Sequence, residues 1–204
     1  MLYISGLEDV IFSKHEILAD EPDELIIISG FLGPAPVQRL SEFDNIKITV
    51  IGGMYRSGID ARLWDSLEKI DEKNSNLKLL FTTTEIHSKI YIWKRKGKIL
   101  AALIGSANFS SNGLRTDYRE SLADATRDTF SPLEEYYKFI FDNSVEKPHL
   151  RKDQEILDFQ VTDTKIDEVA KSNLRYSIEI PLYDTKTNEV PPKSGLNWGL
   201  SAGH

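Results

Sequence analysis

The segment IHSKIYIWKRKGKILAALIGSAN, residues 86–108, decides how this chain is read. It alternates over residues 88–94, carries a charged turn around Gly97 over residues 94–98, and returns as an apolar run over residues 99–104. That is the pattern of a β-hairpin. On a strand, side chains i and i+2 share a face about 7 Å apart. His87 and Lys89 are therefore expected to project together, with Ser88 and Ile90 on the other face. The hairpin brings Gly105, Ser106, Ala107 and Asn108 back beside them. Small residues there let backbone N–H groups and short polar side chains close on an anion, so the expected pocket is the size of a phosphate. A histidine beside an ammonium tends to lose its proton, as a nucleophile must. A carboxylate such as Glu120 can hold its second ring nitrogen in the right tautomer.

Outward from the hairpin, residues 25–29, 46–51 and 77–84 are apolar runs bounded by polar or glycine-containing segments, and they read as buried strands. Between the second and third, Ile59, Leu63, Leu67 and Ile70 recur at helical spacing with Trp64 beside them. The order β–β–α–β indicates an α/β domain. Residues 118–123 suit a short strand, and Ser131, Pro132 and Glu134 open a helix through about Phe141 that turns Leu133, Tyr137, Ile140 and Phe141 inward. The α/β unit is expected to cover residues 1–150. Beyond it, charged residues dominate to Asn173, residues 176–182 make one further strand, and residues 183–199 are rich in Pro, Gly, Lys and Asn. Residues 151–204 are too few for a second core and read as an extension or a linker toward a further domain. His204 lies in a segment with the look of an expression scar and is given no role.

The composition narrows the chemistry. The 204 residues include 25 Lys and Arg against 32 Asp and Glu, a formal net charge of −7, so the chain does not coat nucleic acid indiscriminately and any such contact must be local. There is no cysteine, which excludes disulfides, cysteine nucleophiles, iron–sulfur clusters and thiolate zinc sites. No apolar run approaches the roughly 18 residues of a membrane span, and residues 1–14 do not form a signal segment. A cytoplasmic protein is expected.

H-x-K, a hairpin, G-S-x-N and a downstream glutamate together resemble the active-site motif of the phospholipase D superfamily, over Ile86 to about Leu122. The resemblance implies a mixed β-sheet flanked by helices. It implies that His87 attacks phosphorus to form a phosphohistidine, and that Lys89 and Asn108 hold the non-bridging oxygens. Ser106 would add a phosphate hydrogen bond, and Glu120 would orient the histidine. The family pattern H-x-K-x4-D is broken here, because Lys94 stands where the aspartate would be. Only one H-x-K is present, since His15 and His149 lack the lysine. In the family's single-motif nucleases two subunits face each other, so the resemblance implies a homodimer with a shared site.

Residues 183–199 are similar to the junction at which phospholipase-D-like type II restriction endonucleases pass into their C-terminal DNA-recognition domain. This implies a metal-independent endonuclease domain acting on double-stranded DNA, with no cofactor, and leaves open a helicase-like ATPase partner subunit. A phospholipid or other phosphodiester hydrolase, and a non-catalytic nucleic-acid-binding or dimerisation module, are the competing readings. The candidate DNA contacts are Arg56, Lys94, Arg95, Lys96, Arg115 and Arg119, although residues 94–98 also suit a solvated hairpin tip. The stretches Gly30-Phe31-Leu32-Gly33 and Gly52-Gly53 lack a following G-K-[ST] and read as ordinary turns. Met54 and Tyr55 either line the site or merely pack. Pro22 and Asp23 with Asp71, Glu72 and Lys73 resemble a metal-nuclease pattern, but the second element falls at a helix end, so no catalytic metal is expected.

Overall fold

In the computed structural model, which describes residues 1–43 and 45–151, a short strand β1 (Leu2–Tyr3) and helix α1 (Leu7–Ser13) precede the first long strand, β2 (Glu24–Ser29). Helix α2 (Pro34–Arg39) has proline in its first turn, where a missing N–H costs nothing, and leads to β3 (Lys47–Gly52). Helix α3 (Ala61–Lys73) starts at Asp60, whose carboxylate accepts the Arg62 and Leu63 N–H groups at 2.9 and 3.1 Å. It buries the Leu67 and Ile70 predicted from the spacing. Next come β4 (Leu77–Thr82), the hairpin β5 (Ile90–Arg95) and β6 (Lys98–Gly105), a one-turn helix α4 (Ser111–Leu114) and β7 (Leu122–Asp124). Helix α5 (Phe130–Asp142) and β8 (Ser144–Val145) complete the described residues. The expectations for residues 176–182 and 183–199 lie outside them.

These strands form one mixed sheet in the order β1-β7-β6-β5-β2-β3-β4-β8, parallel across β2, β3 and β4 and antiparallel elsewhere. The central strands are apolar through most of their length because both faces are covered. Leu25, Ile27, Ile48, Val50, Tyr91 and Trp93 share one core with α1 and α3, whereas Ile26, Ile28, Ile51, Leu80, Ile90 and Ile92 pack under Leu133 and Ile140 of α5. With β2 and β3 parallel and β5 antiparallel to β2, the ends of β2 and β3 and the start of β5 meet at one end of the sheet. That end carries the predicted site.

Several expectations are corrected. The strand expected from Ser88 begins only at Ile90, so His87 and Lys89 sit on the approach to it. The strand expected over residues 118–123 shifts to Leu122–Asp124, because Tyr118 takes a left-handed φ of 61°. The hairpin turns at Lys96 and Gly97, both with positive φ (49° and 75°), so its tip is a tight two-residue turn. Lys94 is no part of that tip. It lies on β5 beside an irregularity in register, buried, with its ammonium 2.7 Å from Glu134 of α5 and over the Tyr137 ring. A buried, paired lysine is not free for DNA, so Lys94 is withdrawn as a DNA contact.

Candidate active site

Ser29, the last residue of β2, ties the site together although the sequence reading passed over it. Its buried hydroxyl accepts the Phe109 N–H at 2.8 Å and donates to the Phe31 carbonyl at 2.7 Å. The loop after β2 is thereby fixed to the G-S-A-N loop, and the Gly33 N–H adds a bond to the Phe109 carbonyl at 2.9 Å. The Phe31 N–H in turn donates to Asn108 Oδ1 at 3.1 Å. With its oxygen held, the Asn108 amide has its Nδ2 donors left for a ligand. From below, the Tyr91 hydroxyl donates to the Ala107 carbonyl at 2.8 Å. Burial pushes the Tyr91 phenol well above its ordinary range, so it stays a neutral donor.

The H-x-K arm meets this loop directly. The Gly105 N–H donates to the Lys89 carbonyl at 3.2 Å, the Ser106 N–H to the Ser121 carbonyl at 3.0 Å, and the Ser121 N–H to Ser106 Oγ at 3.1 Å. Ser106 Oγ therefore still has its own proton to offer an anion. Ser88 turns the other way, its hydroxyl 2.7 Å from that of Tyr136 on α5. Lys89 is buried with its ammonium 2.7 Å from the His87 carbonyl, its one hydrogen-bond acceptor among the described residues. Burial draws its pKa down while the charge of Glu120 draws it back up. A desolvated ammonium with a single neutral acceptor is poised to gain from an anion.

His87 is exposed, and its ring meets Phe31 edge-on at a centroid distance of 6.3 Å. Gly30 explains how it fits. A Cβ at that position would stand 2.9 Å from His87 Cδ2 and 3.2 Å from Asn108 Oδ1. The turn read as ordinary is therefore the wall against which the histidine rests. Tyr55, left between lining and packing, packs: it is buried and its hydroxyl accepts the Leu32 N–H at 2.8 Å. Glu120 differs from expectation, since no hydrogen bond joins it to His87 and its charge bears on Lys89 and Tyr91. Among the described residues no group of three or more His, Cys, Asp or Glu is arranged to hold a metal ion.

The candidate DNA contacts scatter. Arg95 and Lys96 lie at the far end of β5, roughly 20 Å from His87 at the usual rise per residue. There Arg95 faces Asp20 and the Glu21 carbonyl, and the Lys96 N–H donates to Asp23. They are thus not brought to the site. Arg115 grips Glu8 through two N–H groups, so its charge is already answered. Arg119, next to Glu120, and Arg56, after β3, are exposed near the site's end of the sheet.

Residues 5–154 match the family described as the NgoFVII restriction endonuclease N-terminal PLD domain. NucT from Helicobacter pylori is similar in structure, at 18% identity and a TM-score of 0.52, over 72% of this chain and 98% of that one. Nuc from Salmonella typhimurium, a phospholipase D family member, is similar at 11% identity and a TM-score of 0.53, over the same shares. No curated protein sequence matches the chain. The two structural likenesses agree with the mixed sheet and flanking helices expected from the motif.

Proposed function

The chain belongs to the family of the NgoFVII restriction endonuclease N-terminal PLD domain, and from that membership and the site's geometry we propose that it is a metal-independent DNA endonuclease working through a phosphohistidine in a homodimer. One observation carries the reading. Where β2 ends and β5 begins, the His87 ring and the Asn108 amide both lie against Gly30, the buried Lys89 ammonium bonds the His87 carbonyl, and Asn108 Oδ1 is held by the Phe31 N–H.

In the first step a neutral His87 nitrogen attacks phosphorus, the P–N bond forms, and the P–O bond to the leaving deoxyribose oxygen breaks. Lys89, Asn108 Nδ2 and Ser106 Oγ donate to the non-bridging oxygens, whose charge rises in the transition state. The leaving oxygen takes its proton from the His87 of a second copy, since the chain holds a single H-x-K. That neutral histidine then removes a proton from water, the water oxygen attacks phosphorus, and the P–N bond breaks. The charge of Glu120 helps keep Lys89 protonated throughout.

The test is nicking of supercoiled plasmid in EDTA. The wild-type chain is expected to cut and the folded His87→Ala variant to lose activity by at least about 10³-fold, as removal of a nucleophile should. Asn108→Ala is expected to lose about 10²–10³-fold through the missing oxyanion donors. Substantial cutting by folded His87→Ala sinks the nucleophile assignment.

A further inference from the structure

At the same end of the sheet, beyond Phe31, a cleft of about 500 Å³ opens under the chain that follows β8. Tyr55, Phe81 and Pro148 give it apolar walls, and Arg56, Lys147 and His149 give it nitrogen donors. No carboxylate lines it, and among the described residues neither Arg56 nor Lys147 forms an ion pair. Some other cations of the chain are already answered, Lys78 by Glu146, Lys94 by Glu134 and Arg115 by Glu8. The rim is held in place. The Ile59 N–H donates to the His149 carbonyl at 2.8 Å and the Arg151 N–H to the Ile59 carbonyl at 2.7 Å, which pins the chain carrying Lys147 and His149 against the loop after β3.

Phe31 links this cleft to the reacting centre. Its ring is 45% exposed, yet it is fixed by backbone bonds to Asn108 and Ser29 and by edge contacts to His87 on one side and to Tyr55, at 6.1 Å, on the other. An exposed, rigid aromatic ring beside a phosphate-sized site, with unpaired cations one residue further on, matches a nucleotide in both charge and shape. Bases stack on such rings whatever their identity, and the flanking phosphate needs only cations.

We propose that Phe31 and the cleft rimmed by Arg56, Lys147 and His149 form a subsite for the nucleotide that flanks the scissile phosphodiester, with the base against Phe31 and its phosphate between Arg56 and Lys147. The proposal rests on the nuclease reading. It is tested on the full chain by fluorescence anisotropy of a labelled single-stranded decamer, in a His87→Asn background that stops turnover. Arg56→Ala with Lys147→Ala is expected to weaken binding at least tenfold and to flatten the salt dependence by about one to two units of slope. Phe31→Ala is expected to weaken the base-bearing strand about tenfold and an abasic strand of equal length much less. Unchanged binding by the double variant overturns the subsite. So does an equal loss on both strands in Phe31→Ala, or tripolyphosphate competing as well as a dinucleotide. Plasmid nicking by the wild type separates the two readings: nicking with unaltered variant binding removes the subsite alone, while binding as described without any nicking removes the nuclease.

Discussion

At Asn108 the amide is aimed by a backbone N–H, and at His87 the ring is aimed by the absence of a side chain on Gly30. Gly30→Ala therefore makes a sharp test. The new Cβ would crowd His87 Cδ2, Asn108 Oδ1 and Met54 Cγ, and the exposed histidine is the group freest to move away. The nicking rate is expected to fall tenfold or more, which is about 1.4 kcal/mol in the barrier, with the urea midpoint close to wild type. A wild-type rate would mean that the His87 orientation does not matter. A second test concerns the proton on Lys89. Burial lowers its pKa and Glu120 opposes that, so Glu120→Gln leaves burial unopposed and the pKa falls further. If the protonated lysine holds the phosphate, the alkaline limb of the pH–rate profile moves to lower pH in this variant. An unmoved limb assigns that ionisation elsewhere. His87, Lys89 and Asn108 were readable in the sequence because one hairpin brings its two ends together whatever surrounds it. Ser29, Gly30 and Phe31 were not, because they arrive from a neighbouring strand and look like any turn until that neighbour is known.

Among the elements, the long central strands and α3 were readable because burial on both faces or on one stripe leaves a mark in residue order. The two-residue strands β1 and β8 carry no such mark, being edge pairings that lie wherever the ends of β7 and β4 offer partners. Helices α1 and α2 are short, and their apolar residues are too few to show a period. What holds these small elements is ionic as well as apolar. Glu8 of α1 takes two bonds from Arg115, just after α4, and a second cation, Arg39 of α2, lies 3.4 Å away. The Arg115 hydrogen bond above all keeps the Glu8 carboxyl below its ordinary value of 4.5, against the opposing effect of burial. A depressed carboxyl stabilises the fold fully above its unfolded pKa and loses that contribution as pH falls through its folded one. Glu8→Gln is thus expected to cost about 1–3 kcal/mol at pH 7. In urea titrations its deficit against wild type should narrow steadily below about pH 4.5. A deficit independent of pH would assign the cost to packing alone.

Across the molecule, an acidic catalytic domain is no contradiction for a nuclease. Cleaving a backbone needs cations only at the reacting phosphate and its neighbours, and a net charge of −7 limits cutting wherever no further contacts hold the DNA. The same economy fits the proposal that each chain supplies half a site. The sheet offers a surface on which a second copy can complete it. Leu2, Ala123, Ile104, Ile90 and Ile28 lie side by side across β1, β7, β6, β5 and β2 and so share one face. Its inner members, Ile28 and Ile90, are buried in the core under α5, but Ile104 is 38% exposed and Leu2 65%. This uncovered stretch runs up to the site, since Ile104 directly precedes Gly105 and pairs with the residue after Lys89. A two-fold dimer closing over it would bring two His87 residues together while burying apolar surface. Light scattering is expected to show a dimer for the wild type and a folded monomer for Ile104→Lys. Plasmid nicking should fall with the dimer, because in the proposed mechanism a second histidine protonates the leaving oxygen. A monomeric wild type that still nicks DNA would require both proton-transfer roles to be met within one chain, and the shared site would be wrong.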